Sequence, residues 1–362
     1  MDLEEPDTVP MMELGIDPPI VEQITGEKIG GLSIQAASAE DVDTWEDGFK
    51  KVMTTVKAYK MLGLDAVAIS DYSLCRRGYR SKFLDKDTFI DEWGRIMKSR
   101  GDTKTTWWFA GTIRSPEDLE RYEPPDPDAP GRMEILEAVV REVGEETAVI
   151  GMGHSSFMFS WEIRGGIDKL AIDFYRNPSF AKKLMDRVAD TCLGWVKMMM
   201  DAGVDLLLLG DDYADNHGPL ISPQIFRKFE LPHLKRIVQE AKRRGIPVIK
   251  HSDGNLYPIL DEIIGTGIAG LHPLEPGAME IGDVKERYGQ KIFVGGNVDC
   301  RYILPYGAEG DVRKDVRRVI DAASPGGGHV LASSNSLHAN VKAENVLTMV
   351  QENRKYGKYP LQ

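Results

Sequence analysis

The sequence has few cysteines, no long apolar run and no excess of positive charge, and each absence excludes a class of protein. Its 362 residues include only 3 cysteines, far apart and odd in number, so they form no disulfide framework and fit a reducing compartment. No run of about 18 apolar residues occurs, and the N-terminus has neither a basic nor an apolar signal region. The net charge of −12 disfavours nucleic acid and anionic membranes as partners. We therefore expect a cytoplasmic protein that binds neither.

What the chain contains is an ordinary globular composition, with 42% hydrophobic and 28% charged residues. Several short apolar runs are continuous rather than alternating, which predicts strands buried on both faces of a parallel sheet. These runs occupy 64–69, 148–154, 205–212, 246–251, 267–272, 292–297 and 328–334. Amphipathic helical stretches lie between them. Strand and helix repeated in this way predict a (β/α)₈ TIM barrel, and no glycine-rich nucleotide-binding motif follows any of the strands.

The domain organisation follows from the regions outside this repeat. Residues 1–30 are acidic and rich in proline with weak periodicity, and we interpret them as an N-terminal arm lying over the domain. Residues 31–362 form a single barrel domain in this interpretation. Within it, the stretches 89–95 and 105–109 predict a β-hairpin around 98–102, inserted at one end of the barrel.

Polar residues follow the predicted strands, where a (β/α)₈ barrel has its active site. They are Asp71, His154, Asp211, Asp212, His251, Asp253, His272, Glu275, Asn297, Asp299, Ser334, Asn335 and His338. Any single Asp, Asn or Ser at such a place is explained equally well as a helix cap or turn residue. Histidine is not a preferred cap, however, so the set as a whole indicates an active site.

Several segments in a fixed order carry a resemblance to a known family. They are 91–95, 211–232, 251–255, 295–299, 326–331 and 356–360. In order and spacing they resemble the uroporphyrinogen decarboxylase superfamily over roughly residues 45–360. The resemblance implies a (β/α)₈ barrel, in agreement with the pattern of strands and helices.

Two branches of that superfamily have motifs that this chain lacks. The porphyrinogen decarboxylases hold propionate groups with an Arg-Gln-Ala-Gly-Arg type motif, of which residues 76–80 (Arg-Arg-Gly-Tyr-Arg) are only a loose echo. The thiol methyltransferases bind zinc through His-x-Cys-Gly and a later Cys. Here the corresponding residues are 251–254 (His-Ser-Asp-Gly) and 333–335 (Ser-Ser-Asn). Both thiolates are missing, so a thiolate zinc site is excluded.

A third branch is more similar. The methyltransferases that begin anaerobic O-demethylation of phenyl methyl ethers carry a zinc pattern Glu-x14-Glu-x20-His. Asp215 and Glu230 are separated by 14 residues, and Glu230 and His251 by 20. The resemblance therefore implies zinc on Asp215, Glu230 and His251, with Asp in place of the first Glu. Three N/O ligands and an open position suit a catalytic zinc ion. The alternative is that Glu230 pairs with a Lys or Arg on the helix surface.

The resemblance also implies a reaction, partners and further site residues. The methyl group of a methoxylated aromatic would pass to Co(I) of a corrinoid carried by a separate protein, with zinc or a nearby acid stabilising the leaving oxygen. A second copy of the chain is a further candidate partner. We expect His154, Asp253 and Asn297 to be catalytic, and we expect substrate contacts from Asp212 and Ser334. Phe157, Phe159 and Trp161 follow the strand that ends at His154, and they either stack on an arene or cover the barrel as hydrophobic packing.

Three function classes remain open from the sequence. The first is this zinc-dependent methyltransferase. The second is a lyase that decarboxylates a tetrapyrrole or another acid and needs no metal. The third is a non-catalytic binding protein of the same fold. Zinc content distinguishes the first class from the other two.

Overall fold

A computed structural model describes residues 3–29, 44–100 and 105–361. The strands are β1 (Ala66–Ser70), β2 (Lys82–Phe83), β3 (Thr88–Ile90), β4 (Arg95–Arg100), β5 (Thr105–Gly111), β6 (Ala148–Gly153), β7 (Leu206–Leu209), β8 (Ala214–Asp215), β9 (Gly218–Pro219), β10 (Val248–His251), β11 (Gly270–Leu274), β12 (Phe293–Val298) and β13 (His329–Ser333). The α-helices are α1 (Pro18–Thr25), α2 (Thr44–Leu62), α3 (Pro116–Arg121), α4 (Glu134–Val143), α5 (Phe157–Arg164), α6 (Ile167–Arg176), α7 (Pro178–Asp201), α8 (Pro223–Ile225), α9 (Leu231–Arg243), α10 (Leu260–Ile264), α11 (Ile281–Tyr288), α12 (Ile303–Tyr306), α13 (Glu309–Ala323) and α14 (Ala343–Tyr356).

A curled parallel sheet of seven strands forms the centre of the molecule, in the order β1-β6-β7-β10-β11-β12-β13. Strands and helices alternate along the chain around it, which confirms the predicted (β/α)₈ fold. β7 and β10 are buried along their whole length, as continuous apolar strands between two packed layers should be. The larger part of the core lies between sheet and helices. A smaller cluster, including Ile150, Leu208 and Phe293, fills the barrel interior.

The N-terminal segment lies between the two edges of this sheet. The Met12 amide donates to the carbonyl oxygen of Leu331 in β13 (3.1 Å), and the Leu331 amide donates to Pro10 (2.8 Å). On the other side, the amide of Asp65, just before β1, donates to the carbonyl oxygen of Met11 (2.9 Å). Residues 10–12 therefore close the barrel in the eighth position. The predicted arm is thus built into the barrel wall, whereas the division of the chain at residue 30 stays a prediction.

The insertion is a four-stranded antiparallel sheet in the order β2-β3-β4-β5. A β-hairpin is present as predicted, but it consists of β4 paired with β5, so residues 98–100 of the predicted turn lie in a strand. Residues 101 and 102 of the predicted turn lie outside the described residues. The predicted strand 89–95 is instead divided between β3 and the start of β4, with a turn at Gly94 (φ 78°) between them. The Trp108 indole donates to the carbonyl oxygen of Glu162 (2.9 Å), which attaches this sheet to α5.

None of the helices that the structure describes has both the length and the apolar character needed to cross a bilayer.

Candidate functional site

Side chains from distant parts of the sequence meet at the carboxyl-terminal ends of the barrel strands. Nδ1 of His154, after β6, lies 2.9 Å from a carboxylate oxygen of Asp71, after β1. The Asn335 amide, after β13, donates to both carboxylate oxygens of Asp253, after β10 (3.0 and 2.8 Å). The ring of His251 in β10 contacts that of His272 in β11. The strand-end residues therefore surround one mouth of the barrel.

Three of these residues form a group that can bind a metal ion. We name Asp212, His251 and Asp253 the carboxylate–histidine group. Nε2 of His251 lies 3.6 Å from Oδ1 of Asp212 and 3.7 Å from Oδ1 of Asp253. One ligand atom from each residue lies within 4.8 Å of the others. Two carboxylates and an imidazole leave at least one coordination position open, as catalytic zinc sites do.

The distances and charges of the group fit a divalent cation. Ligands about 2.0–2.2 Å from a tetrahedral zinc ion are roughly 3.3–3.6 Å apart, close to the two separations above. Burial raises the pKa of Asp253 to about 8, and the charges of Asp212 and Glu275 add to the effect. Burial also raises the pKa of Asp212. Burial lowers the pKa of His251 to about 3, so its ring is neutral, as a metal ligand must be. A cation would compensate the crowded carboxylates.

Lys250 connects the backbone segments that carry this group. Its side chain is completely buried, and its ammonium group donates to the carbonyl oxygens of Leu209 (3.1 Å), Asp211 (2.7 Å) and His251 (2.6 Å). Nζ also lies 4.0 Å from the centre of the Tyr213 ring. Burial lowers the pKa of Lys250 to about 8. The three hydrogen bonds connect the end of β7 to the end of β10.

The side chain of Asp215 is engaged in a turn and is not part of the carboxylate–histidine group. Its carboxylate Oδ1 accepts hydrogen bonds from the backbone amides of His217 (2.8 Å) and Gly218 (3.1 Å), which lower its pKa. The side chain is exposed in the small β8–β9 hairpin. The backbone of Asp215 lies beside the loop after β10, where its carbonyl oxygen accepts from the Asn255 amide (2.8 Å). A count of 14 residues to Glu230 does not show that the carboxylate is turned into the hairpin.

Glu230 is buried, but in a separate hydrogen-bond network. Ser155 and Ser156 each donate a hydroxyl hydrogen bond to it, and so does Tyr213 (2.7 Å). Ser155 also contacts Asp211, at 2.8 Å from its hydroxyl and 2.5 Å from its amide. Burial raises the pKa of Glu230 to about 8, and the charge of Asp211 contributes. The group brought together around His251 thus differs from the predicted ligand set at two of its three positions.

A π turn positions Glu230. Residues Phe226–Glu230 form one wide turn in which the Leu231 amide donates to the carbonyl oxygen of Phe226. Pro232 follows and has no amide hydrogen for an ordinary helical bond to Lys228. The extra residue of the π turn accommodates this gap and turns the carboxyl group of Glu230 inward.

His154 forms a second polar unit at the mouth, with Asp71 and Tyr72. Its Nε2 lies 3.3 Å from the Tyr72 hydroxyl, opposite the contact to Asp71. Burial opposes a charge on the ring, but the carboxylates of Asp71, Asp211 and Glu162 together outweigh it and raise the pKa of His154. The charge of His154 also affects the pKa values of Asp212 and His251. A histidine held in this way can donate a proton at neutral pH.

The other predicted polar site residues are engaged by neighbouring protein groups. Asn297 is completely buried; its amide donates to the carbonyl oxygen of Leu274, and its Oδ1 accepts from Arg318 of α13 (3.1 Å). The Ser334 hydroxyl accepts from the amide of Cys300 (3.1 Å) and lies 3.3 Å from its sulfur. The two Ser334 contacts hold the ends of β12 and β13 together, whereas the Asn297 contacts connect β12 to β11 and α13.

The three aromatic residues after His154 lie in or against the core. Phe157 and Phe159 are completely buried. Phe159 stacks on Trp93 of the insertion, with 3.9 Å between ring centres, and Trp161 meets Trp108 edge-on at 5.0 Å. Their ring faces are occupied by protein, as the hydrophobic-cover interpretation expects.

A cavity of about 290 Å³ opens beside Tyr72. Its walls include Leu14 from the N-terminal segment, Val52 from α2, Ala68 from β1 and Met152 from β6. The hydroxyl-bearing residues Ser70, Ser73 and Thr55 also line it, together with Tyr72. The cavity therefore combines aliphatic walls with a few polar groups, in the manner of small-molecule sites.

Sequence reasoning missed the residues that support the site. Lys250 interrupts an apolar run one residue before His251, and a charge at that place was an available signal. Asp71 and His272 were recognised only as members of the strand-end set. Nothing in the sequence distinguishes Ser155 or Tyr72 from ordinary polar residues.

Comparisons with known proteins agree on one family. The profile described as "Uroporphyrinogen decarboxylase (URO-D)" matches residues 102–356. The uroporphyrinogen decarboxylase of Alkalilimnicola ehrlichii is 26% identical over 253 residues, covering 67% of each chain. That of Saccharophagus degradans is 27% identical over 254 residues, covering 66% of this chain and 68% of its own.

Two solved structures share the whole fold at low identity. A methyltransferase from Methanosarcina mazei aligns with a TM-score of 0.70 at 17% identity, covering 97% of this chain and 95% of its own. A B12-independent methionine synthase from Shewanella sp. W3-18-1 aligns with a TM-score of 0.58 at 11% identity, covering 96% and 97%. At these identities the similarity is one of fold.

Proposed function

The chain belongs to the uroporphyrinogen decarboxylase family, and from this premise we propose that it is a zinc-dependent methyltransferase. It cleaves a methyl ether, a methoxylated aromatic compound, and transfers the methyl group to Co(I) of a corrinoid protein. The observation that carries the proposal is the carboxylate–histidine group at the barrel mouth, with its ligand atoms within 4.8 Å of one another. The fold shared with a methyltransferase is consistent with it.

In this proposal Asp212, His251 and Asp253 hold the ion. Bound there, zinc supplies Lewis-acid stabilisation of the negative charge that develops on the ether oxygen. The protein groups around it fix the ligands: Asn335 holds the carboxylate of Asp253, and the amide of Asp253 donates to Oδ1 of Asp212 (3.1 Å).

His154 is the proton donor of the proposed reaction. As the methyl–oxygen bond breaks, its electron pair stays on the oxygen, which takes the proton from Nε2 of His154. The methyl group forms its new bond with the electron pair of the reduced corrinoid on the partner protein. Asp71 keeps the imidazole charged before transfer and fixes its orientation through the 2.9 Å contact to Nδ1.

The cavity beside Tyr72 supports a small substrate. Its volume of about 290 Å³ is at the lower end of ligand sites, which run from roughly 300 to 1,000 Å³. A single substituted ring suits this size better than a tetrapyrrole does. Leu14, Ala68 and Met152 offer apolar contact to the ring, and the Tyr72 hydroxyl connects the cavity to His154.

The second candidate is decarboxylation of a tetrapyrrole or another acid, which the names of the curated relatives favour. Such a reaction uses arginines that converge on the substrate carboxylates. Here Arg76 lies 3.5 Å from Glu92, and Arg77 is bound to Glu134 (2.5 Å). Both arginines therefore already have carboxylate partners within the protein, which favours the first candidate.

The test combines metal analysis with methyl transfer. We expect purified protein reconstituted with zinc to retain about one ion per chain through gel filtration. With cob(I)alamin as acceptor and a panel of monocyclic methoxyarenes, we expect methylcobalamin absorbance to appear with at least one donor. The His251→Ala variant should lose both the zinc and the product.

The outcomes separate the candidates. A wild type that binds no zinc after reconstitution contradicts the proposal. Zinc binding without methylation from any methoxyarene contradicts the substrate class. Release of carbon dioxide from a porphyrinogen by zinc-free protein supports the second candidate instead.

A further inference from the structure

His272 touches the carboxylate–histidine group from inside the barrel. We propose that His272 is a positioning residue for the metal ligand His251, an inference that rests on the proposed function. Nδ1 of His272 accepts a hydrogen bond from Nδ1 of His251, which leaves the lone pair of His251 Nε2 directed at the ion site. The two Nδ1 atoms lie 3.2 Å apart.

That distance requires one proton between the two nitrogen atoms. Both rings are buried, and a neutral imidazole carries a single proton on one of its two nitrogens. One ring donates across the contact, and the other accepts.

The direction of this hydrogen bond decides whether His251 can be a ligand. If His272 donates, the proton of His251 stands on Nε2, toward Asp212 and Asp253, and blocks coordination. If His251 donates, its Nε2 is a bare lone pair. A bound cation selects the second arrangement, in which Nδ1 of His272 accepts the proton of His251 and the proton of His272 stands on its own Nε2.

The surroundings of His272 leave it able to take this role. Its Nε2 is buried and has no hydrogen-bond partner within the described part of the chain, so no second contact there fixes the position of its proton. Its ring lies against Gly295 of β12, where a Cβ would be only 3.3 Å from the His272 ring carbon. Because Gly295 has no side chain, β12 leaves room for the imidazole of His272 and places no polar side chain against it there.

His329 offers a matched control. It is also a buried histidine on a barrel strand, but Nδ1 contacts the Ser324 hydroxyl (2.7 Å) and Nε2 contacts the carbonyl oxygen of Gly296 (3.1 Å). Replacing it removes an imidazole and two hydrogen bonds without touching the carboxylate–histidine group. His329→Phe therefore reports the general cost of losing a buried histidine.

The experiment measures zinc affinity by competition with a chelator in the full-length protein. We expect His272→Phe to bind zinc about 10–100-fold more weakly than wild type, and His329→Phe to bind it as wild type does. His272→Asn places an amide oxygen near the position of Nδ1, and it should recover most of the affinity. Cobalt substitution should show an altered ligand-field spectrum for His272→Phe alone.

Nitrogen NMR of the wild type tests the same point without any variant, in case His272→Phe does not fold. With zinc bound, His251 should be protonated on Nδ1 and His272 on Nε2. Unchanged affinity in His272→Phe, equal loss in His329→Phe, no recovery in His272→Asn, or a proton on Nδ1 of His272 in the zinc form each overturns the inference. Those results leave the proposed function standing, whereas a wild type that binds no zinc removes both.

Discussion

Asp212 and Asp253 occupy matching positions beyond neighbouring strands, and the register of the sheet brings their carboxyl groups together. β7 and β10 pair Leu209 with Lys250, and the same offset places Asp253 beside Asp212. The amide of Asp253 accordingly donates to Asp212. Two acids at one strand-pair end repel each other unless a cation or a proton intervenes. The pair is thus the strongest residue-scale argument for a metal.

A pair of substitutions distinguishes this group from the ligand set that the residue spacing predicted. Asp212→Asn should weaken zinc binding by at least about 100-fold, since it removes a charged ligand and not merely a supporting contact. Asp215→Asn should leave it unchanged, because that carboxylate caps the β8–β9 turn. Zinc titration of both variants measures the difference. The opposite ranking would restore the pattern of Asp215, Glu230 and His251.

The proton-donating role of His154 predicts a pH dependence. The carboxylate of Asp71 raises the pKa of His154, so the acid form persists to higher pH and activity declines only above that pKa. In Asp71→Asn the declining limb of the rate profile should move to lower pH. His154→Gln should lower turnover by about 10²–10⁴-fold and abolish this limb. Single-turnover formation of methylcobalamin across pH 5–9 measures both; an unmoved limb in Asp71→Asn contradicts the role.

At the scale of elements, segments with a regular hydrophobic pattern can be predicted from the sequence better than irregular segments can. The buried strands follow from apolar runs, and the structure confirms them. A hairpin in the insertion could also be predicted, but its first strand is 95–100 and not 89–95. The closing role of residues 10–12 has no such pattern, because its hydrogen-bond partners lie more than 300 residues away at Leu331. The π turn before Pro232 likewise could not be predicted from a 3.6-residue period. The inward direction of the Glu230 side chain, which depends on that turn, could not be predicted either.

Glu13 in the N-terminal segment should make the unfolding free energy of the protein depend on pH. Burial raises the pKa of Glu13 to about 7, although hydrogen bonds from Ser333 oppose the shift. The stability from the protonated acid is complete below its ordinary pKa of 4.5 and is lost as pH rises through 7, by about 3 kcal/mol. In Glu13→Gln the decline in unfolding free energy between pH 5 and 8 should be smaller by that amount.

Denaturant titrations at several pH values provide the measurement. Glu142→Gln is the control, because it removes the same charge from a half-exposed side chain paired with Lys60. It should leave the pH dependence as in the wild type. A decline of equal size in Glu13→Gln and the wild type would show that Glu13 does not titrate in this range.

At the scale of the whole molecule, the barrel brings together what the sequence separates. The strand-end residues extend from Asp71 to Asn335, and only closure of the sheet turns them into one mouth. The fold class could be predicted from the repeated apolar runs, and the location of the mouth from the polar residues that follow each run. The individual side chains that meet around His251 could not be predicted, because a residue count holds no information on the path of the loop after β7 or on the turn before α9.

Metal removal should show that the fold and the ion site are separable. The apolar core is extensive and is built from other side chains, so the zinc-free protein should remain folded and cooperative. An ion bound only by the native state raises the unfolding free energy by about 2.7 kcal/mol when free zinc is 100 times the dissociation constant. We expect this increase in denaturant titrations of the wild type. In Asp253→Asn, which lacks one ligand, added zinc should leave the unfolding midpoint unchanged. Loss of native circular dichroism on chelation would instead assign the ion a structural role, and an equal zinc response in both proteins would place the ion elsewhere in the molecule.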